Sequence, residues 1–226
     1  MIEFRNVYKE YSNGTQALSD INLKIEGGEF VFLVGPSGAG KSTLIKLLIH
    51  EEEVSRGKIF LNNRNISQLP PWGVPKLRRN FGVVFQDYRL LPKKTVYENV
   101  AYAMEIVGES NRKIKARVPH VLKLVGLERK AHVRPDELSG GESQRVSIAR
   151  AIVNNPPVVL CDEPTGNLDA QTARSVMEAL LRVHEDGATV IMGTHALDIV
   201  RSMNKRVVTL DRGRIVQDQK GTSCAS

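Results

Sequence analysis

The chain has 226 residues, 41% of them hydrophobic and 25% charged, which is the usage of an ordinary globular domain and excludes a disordered chain. Its apolar runs, such as residues 30–34 and 158–161, are far too short to cross a bilayer. The net charge of +7 attracts anions, but aromatics are only 5% of the chain and do not interleave with the basic clusters at 76–79, 93–94 and 112–117, so no nucleic-acid partner is expected.

The opening alternates like β-strands over residues 2–7 and 17–25, with Asn13-Gly14 as the turn between them, an N-terminal antiparallel β part. Glu3 and Arg5 lie inside this pattern and no signal-peptide core precedes it, which points to a cytosolic protein unless another chain tethers it. Residues 30–34 form a continuous apolar strand of the kind buried on both faces, followed by a glycine-rich loop and a helical pattern over 42–50. Strands follow at 58–61 and 81–85. The middle changes character: residues 96–107 and 118–125 repeat apolar positions at helical spacing, with Pro119 opening or kinking the second helix. Another helix over 142–153 ends at Asn154-Asn155-Pro156-Pro157. Strands return at 158–161, 189–193 and 206–210, with helices at 170–184 and 196–203, and the tail after Gln217 reads as loose.

Strands alternating with helices imply an α/β fold with a mostly parallel sheet. The expected organisation is a single domain, with a core of residues 1–86 and 157–226 and an inserted helical subdomain at about 87–156. Cys161, in an apolar run, and Cys224, in the polar tail, form no disulfide framework and fit a reducing compartment.

Gly35-Pro36-Ser37-Gly38-Ala39-Gly40-Lys41-Ser42 fits G-x-x-x-x-G-K-[ST], with the required strand before it and helix after it. Its glycines let successive N–H groups turn inward around phosphate oxygens, and the following helix N-terminus adds partial positive charge. Lys41 is expected to reach the β- and γ-phosphates and the Ser42 hydroxyl to ligate Mg²⁺. The motif implies a nucleoside triphosphate and does not by itself separate a kinase from a GTPase or an ATPase.

Residues 158–163 are an apolar strand ending in two carboxylates. Parallel strands carry their loops on the same side, so Asp162 suits Mg²⁺, and Glu163, just beyond the strand, suits a base that polarises an attacking water. A metal–base pair argues against a Ras-type GTPase, where a glutamine positions the water.

Leu138-Ser139-Gly140-Gly141-Glu142 then resembles the signature of ABC ATPases, which normally reads Leu-Ser-Gly-Gly-Gln. Gln86 resembles that family's Q-loop glutamine, Asn167-Leu168-Asp169 its D-loop, and His195 its switch histidine. Tyr11 stands where these ATPases place an aromatic under adenine. The resemblance runs from residue 2 to about 216 and implies a P-loop NTPase core that binds ATP and Mg²⁺. It implies catalytic roles for Glu163, His195 and Gln86, and metal contacts for Ser42, Gln86 and Asp162. Nucleotide contacts are implied for Tyr11, for Gly35 through Thr43, and for Ser139, Gly140, Gly141 and Asp169.

Ser139 and the two glycines head a helix, a second phosphate-binding surface; in this family it caps the γ-phosphate bound by the other subunit, so a homodimer is implied in the ATP-bound state. Two departures stand out: Glu142 replaces the usual glutamine, and Ser143 stands where many relatives carry another. A carboxylate there is expected to weaken or slow closure by repelling phosphate. The stretch 81–100 resembles the cell-division branch of the family, which implies an FtsX-like integral membrane subunit as partner and a peripheral position on the cytoplasmic face of the plasma membrane. Lipoprotein-release and macrolide-efflux ATPases share much of this stretch and remain the alternative.

Overall fold

The computed structural model describes residues 1–221. Cys224 lies outside them. In chain order the elements are β1 (Ile2–Glu10), β2 (Gln16–Ile25), β3 (Phe30–Val34), α1 (Lys41–Leu48), β4 (Arg56–Leu61), β5 (Arg64–Asn65), α2 (Val74–Arg78) and β6 (Phe81–Val84). They continue as α3 (Val96–Ile106), α4 (Asn111–Leu124), α5 (Gly140–Ile152), β7 (Val158–Asp162), α6 (Ala170–Glu185), β8 (Thr189–Thr194), α7 (Leu197–Met203), β9 (Arg206–Asp211) and β10 (Arg214–Gln219). Among the described residues no helix is long and apolar enough to cross a membrane. The chain forms two compact units, Met1–Asn80 together with the chain from Thr189 onward, and Phe81–Ala188.

In the first unit, β1 and β2 pair antiparallel, and β4 and β5 extend the sheet in the order β2-β1-β4-β5. The hairpin forms where Asn13-Gly14 directs it: the Gly14 N–H donates to the Tyr11 carbonyl at 2.9 Å, and the Asn13 side chain accepts from the Thr15 N–H at 3.0 Å. The second sheet of this unit centres on β3, all five of whose residues are buried, as its unbroken apolar run requires. Parallel β8 and β9 flank it on either side. Val34 pairs with Thr194 at the C-terminal ends of β3 and β8, so the chain leaves the sheet side by side at Gly35 and His195.

The tail departs from its sequence reading. Residues 218 and 219 are not loose but belong to β10, which pairs antiparallel with β9, and residues 222–226 lie outside those described. Arg212 and Gly213 both have positive φ, the conformation of a tight hairpin turn. Asp218 then accepts two hydrogen bonds from the Arg206 guanidinium, at 2.9 and 2.7 Å, which holds a polar strand that has no apolar pattern to announce it.

The second unit carries the parallel pair β6–β7 and the helices α3 to α6. Val100, Val118, Val121, Leu122, Val146, Ile148, Val159, Leu160, Val176 and Leu180 form its core, each fully buried and worth about 1.5–3 kcal/mol relative to exposure. Thr95 caps α3 in a reciprocal box with Glu98. Helix α4 also corrects the sequence reading: it starts at Asn111 behind the Ser110 cap, and Pro119 lies inside it. Its first half is the basic run 112–117, exposed except for Ile114 and half-buried Arg117. Pro119 and Lys115, one turn before it, are both exposed, so the break that proline makes in the helical ladder falls on the outer side of the helix.

Candidate functional site

The two units each carry part of the residue set singled out by sequence.

In the first unit the chain leaves β3 at Gly35 with φ of 151° and enters α1 through Gly40 with φ of 105°. Both are positive-φ positions, and both are crowded. A Cβ at Gly35 would collide with the Leu210 carbonyl, and one at Gly40 would lie 2.7 Å from Leu18 Cδ2. Gly40 offers α1 no side-chain cap, and no acidic residue lies in its first turn. The helix N-terminus is thus left without a carboxylate of its own, the electrostatic condition for an external anion. Lys41 is 6% exposed, and its ammonium donates to the carbonyls of Gly35 at 2.8 Å and Pro36 at 3.2 Å, curling back over the loop it serves. A glycine-shaped loop, an uncapped helix end and a buried cation form a donor set that fits a polyphosphate.

Tyr11 follows directly on β1, and its hydroxyl lies 3.3 Å from that of Thr43 in the first turn of α1. The Lys9 ammonium sits 5.0 Å from the centre of its ring. The structure therefore brings Tyr11 to the phosphate loop's helix. His195 is exposed just beyond β8, where the Thr194 hydroxyl accepts from the Ala196 N–H at 3.1 Å.

In the second unit β7 ends at half-buried Asp162, and the backbone turns at Glu163 with φ of 50°. That left-handed conformation is uncommon for a residue with a side chain and is a local strain of order 1–3 kcal/mol. The Glu163 carbonyl accepts from the Gly166 N–H at 3.1 Å, which closes the turn. In the β6–β7 register Val84 pairs with Cys161, so two residues further on Gln86 emerges next to Glu163. Gln86 is exposed, and its amide donates to the Asn167 side chain at 3.1 Å. Cys161, buried beneath them, has its thiol pushed up by burial and by the neighbouring Asp162 carboxylate.

Asp169 has a structural task on its own chain. It caps α6, accepting from the Gln171 and Thr172 N–H groups at 3.0 Å each and from the Thr172 hydroxyl. The Thr172 hydroxyl first, and the backbone N–H groups after it, hold its carboxyl below the usual range.

Ser139 caps α5. Its hydroxyl accepts from the Glu142 N–H at 3.3 Å, and the Glu142 carboxylate accepts from the Ser139 N–H at 2.9 Å. The other Glu142 oxygen meets the Lys130 ammonium at 2.6 Å. Burial alone would raise the Glu142 pKa, but Lys130 and Ser139 together hold it below the ordinary carboxylate value. Gly141 has a packing reason: a Cβ there would collide with the Thr172 methyl group, so α5 meets the start of α6 without an intervening side chain.

Sequence reasoning missed three residues that organise this half. Gln144 is fully buried and donates to the Phe85 carbonyl at 3.2 Å. Arg150 donates to the carbonyls of Arg89 at 2.6 Å and Tyr88 at 2.9 Å. Helix α5 thus grips the backbone on both sides of Gln86. The third is Lys130. The available signal is a glutamine on a helix face shared with Ser147 and Ile148, both buried.

Residues 18–166 match the ABC transporter family. The chain is 53% identical over 219 residues to the cell division ATP-binding protein FtsE of Bacillus subtilis (strain 168), an alignment covering 97% of this chain and 96% of the relative. It is 45% identical over 215 residues to FtsE of Escherichia coli (strain K12), covering 95% and 97%. Among solved structures it is similar to a dimeric post-hydrolysis state of an ATP-binding cassette bound to ADP and Pi, with a TM-score of 0.86, 37% identity and coverage of 97% and 98%. It is also similar to cbiO1 from Clostridium perfringens, part of the ABC transporter complex cbiONQ, with a TM-score of 0.91, 32% identity and coverage of 97% and 88%. Similarity at these levels runs nearly end to end, and the chain belongs to the ABC transporter family, as one of its nucleotide-binding ATPase subunits.

Proposed function

We propose that this chain hydrolyses ATP as a single ABC ATPase domain, core 1–86 and 157–226 with a helical subdomain at about 87–156, and drives an FtsX-like integral membrane subunit in cell division. The observation that carries the ATPase reading is the glycine-shaped loop between β3 and α1, with Lys41 buried against its carbonyls. The cell-division reading is supported by the FtsE relatives at 45–53% identity.

Tyr11 stacks on the adenine, a contact worth about 1–3 kcal/mol. The backbone N–H groups of the loop from Ser37 to Thr43 hold the phosphates, and Lys41 exchanges its loop carbonyls for the β- and γ-phosphate oxygens. Ser42, Gln86 and Asp162 offer hydroxyl, amide and carboxylate oxygens, the hard donor set that suits Mg²⁺. When bound, Mg²⁺ neutralises charge on the β- and γ-phosphates. Glu163 accepts a proton from the attacking water, whose oxygen bonds to the γ-phosphorus as the bond to the bridging β–γ oxygen breaks. ADP and phosphate leave. A positioned base contributes about 10²–10⁴-fold. His195 donates to the γ-phosphate and supports the charge that gathers there.

Ser139, Gly140 and Gly141 cap the γ-phosphate held by a second copy, so ATP closes a head-to-tail homodimer. That a similar cassette bound to ADP and Pi is dimeric supports a dimer here. Closure pulls on the membrane subunit from the cytoplasmic face of the plasma membrane and, through it, switches on peptidoglycan hydrolases outside. Co-purification of the tagged chain from membranes tests the partner. Recovery of an FtsX-like subunit supports the reading, whereas recovery of a lipoprotein-release or macrolide-efflux subunit replaces it.

A further inference from the structure

Glu142 places a carboxylate in the first turn of the helix whose N-terminus meets a phosphate in the proposed dimer. Phosphate and carboxylate repel, yet the geometry around Glu142 leaves neither oxygen unopposed. One oxygen accepts from the Ser139 N–H at 2.9 Å, and the other lies 2.6 Å from Lys130 Nζ. The Glu142 side chain is 18% exposed and that of Lys130 40%, so the carboxylate is mostly covered while the ammonium reaches the surface.

Lys130 is itself held in place. It ends a single 3₁₀ turn, Glu128–Lys130, that follows buried Leu127. Its N–H donates to the Leu127 carbonyl at 3.0 Å, and its carbonyl accepts from the Val133 N–H at 3.1 Å. The next residues are stitched to the start of α3: Tyr97 N–H donates to the Ala131 carbonyl at 2.8 Å, and Val96 N–H to the Val133 carbonyl at 2.9 Å. A lysine on a backbone fixed from both sides loses less conformational freedom in making an ion pair than a lysine on a free loop.

We propose that Lys130 is a positioning residue for the signature: it neutralises Glu142, so that Ser139 and the N-terminus of α5 accept a phosphate that the bare carboxylate would repel. The inference rests on the head-to-tail ATP dimer proposed above. It makes the lysine a requirement of the Glu142 form of the signature, one that a glutamine at that position removes. A glutamine keeps an oxygen for the Ser139 N–H and carries no charge.

The test is ATP-dependent dimerisation, followed by sedimentation in the slow-turnover Glu163→Gln background, read as the ATP concentration giving half dimer. Lys130→Ala is expected to raise that concentration about 3- to 10-fold, and 0.5 M salt to shrink the defect. Lys130→Arg is expected to stay within about twofold, because it restores the charge. The decisive variant is Lys130→Ala with Glu142→Gln, which is expected to return to the parental value. If that double variant stays as weak as Lys130→Ala alone, Lys130 serves only the fold and the proposal is overturned. An unchanged half-point in Lys130→Ala overturns it as well. A parental protein that binds ATP but never dimerises removes the dimer reading first, and this inference with it.

Discussion

The side-chain amide of Gln86 donates to the side-chain oxygen of Asn167 at 3.1 Å, joining the segment after β6 to the segment after β7. The same register that pairs Val84 with Cys161 brings these segments out together. Asn167→Ala deletes the acceptor and leaves Gln86 without this restraint. We expect ATP affinity within about twofold of the parent and a fall in kcat of about 2- to 10-fold, the range of one hydrogen bond. Nucleotide titration beside steady-state turnover separates the two effects, and an equal loss in both would show that Asn167 acts on binding.

Tyr11 offers a test of the first unit. Tyr11→Ala removes a ring that lies beside Thr43 and carries the Lys9 ammonium on its face. An adenine stack of about 1–3 kcal/mol corresponds to a rise in ATP Kd of about 5- to 150-fold, and Tyr11→Trp is expected to keep parental affinity. Equilibrium titration with a fluorescent ATP analogue reads both.

Arg150 braces the backbone around Gln86 from beneath, through the Tyr88 and Arg89 carbonyls. Arg150→Ala strands these acceptors and is expected to lower unfolding free energy by about 1–3 kcal/mol. Urea denaturation measures this. Arg150→Lys is expected to restore only part of it, since one ammonium does not reproduce the two-pronged geometry.

The Cys161 thiol is fully buried and pushed up from its ordinary pKa, first by desolvation and then by Asp162. The sign follows: raising pH from 7 to 9 converts an ordinary thiol to thiolate but leaves Cys161 protonated in the native state. Alkylation at pH 9 with peptide mapping is expected to find Cys161 unmodified in native protein and modified in urea. Fast native labelling at Cys161 would contradict the packing of β7.

How far these features could be read in advance depends on what kind of interaction makes them. Strand β3 was legible because five consecutive apolar residues have one stable use in a covered sheet. The phosphate loop was legible because its glycines, Lys41 and the flanking elements serve one local mechanism. Helix α4 reads short in the sequence because its first half is a basic face whose buried apolar residue is Ile114 alone. Strand β10 was missed because the Arg206–Asp218 pair and the turn at Arg212-Gly213 hold it, and neither is a hydrophobic signal. Lys130, Gln144 and Arg150 act on partners distant in sequence, so spacing alone carries no trace of their contacts.

Glu163, set at a left-handed turn directly after β7, is the proposed base for ATP hydrolysis. The measurement is ATP turnover by Glu163→Gln beside its ATP-dependent dimerisation. An amide cannot take the proton from water, so turnover is expected to fall by about 10²-fold or more while ATP binding persists. Unhydrolysed ATP is then expected to hold the dimer closed by mass action. Near-parental turnover in Glu163→Gln would contradict the account.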